Sequence, residues 1–141
     1  KDFDYIIIDS PPALGPITIN TLSASTSVLI PIQCEFFALE GLAQLLNTIK
    51  LVKQTINQGL QIRGFLPTMY SSQNNLSKQV FADLAQHFES KLFKIDDDSY
   101  VVIPRNVKLA ESTSFGKPIM LYDTNSSGTK AYTNLARAIA G

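Results

Sequence analysis

Three strand-like runs punctuate the first half of the chain: Tyr5–Ile8 (YIII), Ser27–Ile32 (SVLIPI) and the stretch Gln61–Tyr70 (QIRGFLPTMY). The first is continuously β-branched and aromatic, and the second is apolar after Ser27. That pattern fits strands buried on both faces, as in parallel sheets. Between the second and third runs, Leu42, Leu45, Leu46, Ile49 and Val52 recur at helical spacing. They predict an amphipathic helix over 39–57, ended by Asn57 and Gly59. Strand alternating with helix leaves one economical solution. It is an α/β fold with a mostly parallel sheet flanked by helices and right-handed crossovers.

The remaining segments fit that plan. Thr18–Ala24 reads as a short helix after a loop enforced by Pro11, Pro12, Gly15 and Pro16. Pro67 predicts a bulge or an early end to the third strand. Asn75 or Ser77 is expected to cap a helix whose inner stripe is Val80, Leu84 and Phe88. Leu92–Ile95 and Tyr100–Ile103 read as short extended pieces, and a helical turn is expected near 108–112. A closing helix over 126–140 is expected to take Ser127 or Thr129 as cap and to bury Tyr132, Leu135, Ala136 and Ile139.

Composition removes several function classes. A chain of 141 residues is the size of a single domain with a real core. Twelve Lys+Arg balance twelve Asp+Glu, so no net charge draws it to nucleic acid or an anionic surface, although a local basic patch remains open. No stretch approaches the ~20 apolar residues of a membrane span. The single cysteine, Cys34, excludes an internal disulfide framework and fits a reducing compartment. It is expected to be a buried small apolar residue. His87 has no Cys or acidic partner at metal spacing, and Asp96–Asp98 reads as a solvated turn. The chain shows no signal peptide and no initiator methionine, and it opens almost directly into an apolar run. An N-terminal part is therefore expected to be missing.

The first run ends in Asp9, followed by Ser10-Pro11-Pro12. Ligands of open α/β sheets bind beyond the carboxyl ends of the strands. An acid delivered there by a buried strand can hold Mg²⁺, often through water, because Mg²⁺ sheds its shell reluctantly. An aspartate that merely caps a turn gives the same local pattern.

Four longer stretches carry a resemblance: DYIIIDSPPALGPITINTL, SVLIPIQCEFFALEGLAQLLNTI, LPTMYSSQNNLSKQV and VIPRNVKLAESTSFGKPIMLYD. In order and spacing they resemble the ParA/Soj chromosome- and plasmid-partitioning ATPases, relatives of MinD, across the whole chain. The resemblance implies a P-loop NTPase-like, deviant Walker fold, here incomplete: residues 1–141 as one domain from the C-terminal part of such an ATPase. No G-x-x-x-x-G-K-[ST] run is present, so these residues alone are not expected to hydrolyse ATP or to bind it tightly. In the full-length protein the resemblance implies ATP and Mg²⁺ as cofactors.

The resemblance also implies residue roles. Asp9 is the Mg²⁺-associated, catalytic aspartate, and Ser10–Gly15, with Pro12, form the second switch loop beside the nucleotide. Thr68 and Met69 close a strand beside the adenine, and Pro104, Arg105 and Asn106 lie on the base's other side. Lys78, Arg105 and Lys108 could contact DNA phosphates without sequence preference. Relatives often read MYDART where this chain reads MYSSQNN, with Ser71 and Gln73 at the acidic and basic positions, which weakens the DNA assignment. Glu35 either caps the following helix or lies near a dimer interface. Phe36 and Phe37 are expected to pack in a core or interface.

The expected function is therefore a contribution to an ATP-dependent DNA-segregation motor. Its implied partners are a second copy (a homodimer), non-specific DNA and a ParB-like centromere-binding protein, in a bacterial-type cytoplasm at the nucleoid. A non-catalytic dimerisation or interaction module is the alternative. An iron–sulfur reductase component on the same scaffold would need paired cysteines, and Cys34 stands alone. The uncovered sheet edge of such a fragment predicts self-association.

Overall fold

The computed structural model describes residues 2–11 and 13–141. The elements in order are α1 (Pro16–Ala24), β1 (Ser27–Gln33), α2 (Ala38–Thr55), β2 (Gln61–Thr68), α3 (Asn75–Phe88), a 3₁₀ turn (Glu89–Lys91), β3 (Lys94–Asp96), β4 (Ser99–Tyr100), α4 (Val107–Ser114), α5 (Ile119–Tyr122) and α6 (Ser127–Ala140). The class is α/β, with a parallel sheet flanked by helices. The chain divides into two compact units, Lys1–Val28 with Glu40–Arg63, and Leu29–Leu39 with Gly64–Gly141.

In the first unit Leu22, Leu42, Ile49, Val52 and Leu60 are buried. α2 stops at Thr55, and the Asn57 N–H closes its end by donating to Val52 O at 2.8 Å. The Asn57 side chain also donates from Nδ2 to the carbonyls of Leu22, Ser23 and Ser25 at 3.0, 3.2 and 2.8 Å. These are otherwise orphaned acceptors at the end of α1.

Tyr5–Ile8, expected as a strand, forms none. Tyr5, Ile6, Ile7 and Ile8 are 62%, 88%, 92% and 45% exposed. The physical reason is that β-propensity supplies only willingness; a strand exists by ladder pairing. The sheets among the described residues are β1–β2 and β3–β4, and neither includes this run.

The direction of β1 and β2 follows from their ends. Gln61 N donates to Thr26 O at the start of both strands, and Cys34 N to Thr68 O at their ends, so the two run parallel. In the second unit β2 is flanked by the segment 101–105. Ile103 N donates to Pro67 O at 2.9 Å, Tyr70 N to Ile103 O at 3.1 Å and Arg105 N to Tyr70 O at 2.8 Å. Pro67 has no N–H to return, and the contact with 101–105 registers as one isolated parallel bridge, Tyr70–Pro104; a separate isolated bridge joins Phe65 to Leu92. The core beneath is Leu66, Phe93, Val101, Ile103 and Leu135, packed by Leu29, Leu109 and the inner face of α6.

Two caps differ from expectation by one to three residues. Asn74 caps α3, its Oδ1 accepting from Leu76 N at 2.8 Å and Ser77 N at 3.4 Å. Ser126 caps α6, accepting from Thr129 N at 3.1 Å. Asp96–Asp98 is an exposed turn between β3 and β4, closed by Asp98 N on Asp96 Oδ1 at 3.0 Å.

Candidate functional site at the strand ends

In the second unit, three loops converge at the carboxyl ends of parallel segments: 34–37 after β1, 69–74 after β2 and 104–106. A regular parallel register would have residue 69 donate to Ile103 O; Tyr70 does so instead. Met69 is therefore an extra residue, a bulge, and its φ of 54° lies in the left-handed region. Phe37, in the loop four residues beyond the end of β1, has φ 64°. A bulky residue in that region is strained, and such strain concentrates at functional sites.

The loops are tied together. Ser77 Oγ donates to Cys34 O at 3.1 Å, fixing the start of α3 to the end of β1. The Arg105 guanidinium pairs with the Glu35 carboxylate across a separation of 70 residues. Asn106 caps α4, its Oδ1 accepting from Lys108 N at 2.8 Å, while its Nδ2 donates to Ser127 Oγ at 2.6 Å. Cys34 lies beneath, and burial pushes its thiol up to about 11 against the opposing bond with Thr68.

The structure thus brings together Thr68, Met69, Pro104, Arg105 and Asn106. Thr68, Pro104 and Asn106 are half-buried, whereas Met69 and Arg105 are exposed. The Glu35–Arg105 pair carried no sequence signal, since nothing local links two residues so far apart.

Of the basic residues, Lys78 is exposed on α3. Lys108 Nζ sits 3.0 Å from Glu111 Oε2, and Tyr122 Oη donates to the same carboxylate at 3.1 Å. The hydrogen bond from Lys108 is the main influence lowering the Glu111 carboxyl and raising the Lys108 ammonium.

Asp9 belongs to the first unit and is exposed in a non-regular segment. Pro12 lies outside the described residues. Among the described residues no group of three or more His, Cys, Asp or Glu side chains is placed to hold a metal. A Mg²⁺ ion would fit on Asp9 only as a largely hydrated ion completed by phosphates, a mode Mg²⁺ uses with one carboxylate.

The chain is an α/β protein whose polar loops gather at the strand ends. A family described as an AAA domain matches residues 1–62. The solved cobyrinic acid a,c-diamide synthase from Mycobacterium smegmatis superposes with a TM-score of 0.73 at 35% identity, over 99% of this chain and 47% of that one. The same protein has been solved with ADP and magnesium and with an ATP analogue and magnesium. These place the fold among the P-loop NTPases.

Within that class the chain is a homologue of the Soj/ParA chromosome-partitioning proteins over nearly its whole length. It is 51% identical over 140 residues to the sporulation initiation inhibitor protein Soj of Bacillus subtilis, covering 99% of this chain and 53% of Soj. It is 49% identical over 138 residues to the chromosome partitioning protein ParA of Myxococcus xanthus, covering 98% of this chain and 47% of ParA. The chain spans about half the length of these curated relatives. No helix among the described residues is long and apolar enough to cross a membrane.

Proposed function

We propose that the chain supplies the C-terminal part of an ATP-dependent partitioning ATPase that segregates DNA as a nucleotide-controlled homodimer. The observation that carries this is near-complete alignment with Soj, together with loops gathered at the strand ends. Asp9 would hold the hydrated Mg²⁺, with Pro12 in the adjoining switch loop. Thr68 and Met69 would form one wall of an adenine pocket and Pro104–Asn106 the other. Such pockets use mostly apolar walls and a few fixed polar groups. Asn106 already spends its oxygen on the α4 cap, so its backbone is the better reader of the base edge.

Arg105, with Lys108 and Lys78, would meet DNA phosphates, and a ParB-like protein would stimulate hydrolysis at the nucleoid. Chemistry in this class is positioning plus charge stabilisation, so these residues alone bind and orient, and the phosphate cradle must come from elsewhere in the protein.

The test is ATP hydrolysis by the protein expressed from its whole reading frame. Asp9→Asn should lower turnover about 10–100-fold, the usual cost of losing a group that orients a metal's shell. Pro104→Gly should raise the nucleotide Kd with little change in magnesium dependence. Failure of the intact protein to bind ATP would overturn the proposal.

A further inference from the structure

The positive group best placed at the strand-end rim is not free. Arg105 is half-exposed, with 57% of its side chain open to solvent, and its counter-ion Glu35 is 46% open. The backbones of both residues are anchored. Arg105 N donates to Tyr70 O at 2.8 Å, and Glu35 accepts from Ala38 N at 3.3 Å while donating to Gln33 O at 2.8 Å. With these backbone bonds in place, the two exposed side chains still have room to swing. Lys108 differs, because its carboxylate partner lies on its own helix and travels with it.

Glu35 instead belongs to the loop after β1, one residue before an edge-to-face pair of exposed rings, Phe36 and Phe37. Phe37 sits in the left-handed region. Whatever moves that loop moves the carboxylate off the guanidinium.

We propose that Glu35 is an internal competitor for Arg105, occupying its anion-binding face until a nucleic-acid phosphate displaces it or the Phe36–Phe37 loop is repositioned. This rests on the DNA-contacting role proposed for Arg105. The pair meets through one guanidinium nitrogen and one carboxylate oxygen, which leaves the rest of the Arg105 fork available to a phosphate, an anion it can take in the same way. Because the pair is solvent-exposed, displacement is cheap, and the contact acts as a graded brake on binding.

The test is binding of a mixed-sequence DNA duplex, by fluorescence anisotropy across a salt series with ATP present. The proteins are the intact chain and its Glu35→Gln, Glu35→Asp, Arg105→Gln and double Glu35→Gln/Arg105→Gln variants. Glu35→Gln should bind about two- to five-fold tighter, the range an exposed ion pair covers. Its salt dependence should steepen by about one phosphate contact. Glu35→Asp, which keeps the carboxylate, should stay close to the parent. The double variant should match Arg105→Gln.

Equal binding by Glu35→Gln and the parent, with Arg105→Gln weakened, would overturn the competitor and leave the DNA role standing. Weaker binding by Glu35→Gln would make Glu35 an orienting partner and also overturn it. Unchanged binding by Arg105→Gln, or no binding by any form, would remove the DNA role itself and the competitor with it. Matching circular dichroism spectra exclude misfolding as the cause of any loss.

Discussion

At the scale of single residues, packing and burial set sharper limits than charge. A Cβ at Gly64 would meet the Lys91 carbonyl oxygen at 2.7 Å and two Phe93 ring carbons at 2.8 Å. Backbone and a buried ring cannot both give way, so Gly64→Ala should cost about 1–3 kcal/mol in chemical denaturation. Cys34 offers a pH test. Its folded thiol titrates near 11, above the ordinary thiol value. Below that ordinary value both states hold the proton and nothing changes. As pH rises past it the unfolded thiol ionises first, so stability falls, and the loss levels off near 11. Cys34→Ser should flatten that segment of the stability–pH curve. Met69→Gly should be neutral to stabilising by up to about 1 kcal/mol, since glycine accepts a left-handed φ without strain.

At the scale of elements, the helices α2, α3 and α6 and the strands β1 and β2 were legible because their signals are local, whereas α5 lies in a stretch that reads as irregular. Leu42, Leu45, Ile49 and Val52 repeat at the helical period, and SVLIPI is apolar from Val28 on. Caps were harder, because Asn74, Asn75 and Ser77 are all good formers and geometry chooses among them. Asn74 holds two backbone N–H groups, so Asn74→Ala should destabilise α3 by about 1 kcal/mol in thermal unfolding, whereas Asn75→Ala should change little. The candidate site was legible only as positions. Strand ends followed from the pattern, and Pro67 signalled irregularity, but the extra residue is Met69, which no turn-forming side chain announces. The ion pair of Glu35 and Arg105 and the bond from Ser77 to Cys34 were invisible for a different reason. Contacts across 70 and 43 residues are products of the fold and leave no periodic trace.

At the scale of the whole molecule, the run Tyr5–Ile8 is expected to govern how the 141-residue chain behaves in solution. It combines high β-propensity with no charge and no proline inside it, the composition that pairs edge to edge when exposed. Ile6 and Ile7 are 88% and 92% open, and the chain's formal net charge of zero near neutrality leaves little mutual repulsion. A soluble monomer seldom leaves such a stretch bare. The expected outcome is self-association of the 141-residue chain, read by light scattering as a mass that climbs with concentration. Replacing Ile6 and Ile7 together by Lys places two like charges on the run, the device natural edge strands use against pairing. That variant should return the mass to a monomer's while leaving the helical circular dichroism intact, because neither side chain belongs to a buried core. A parent chain that stays monomeric throughout would show that the bare run does not drive association. A variant that still associates would place the contact on other exposed apolar residues, such as Val107, Phe115 and Leu121.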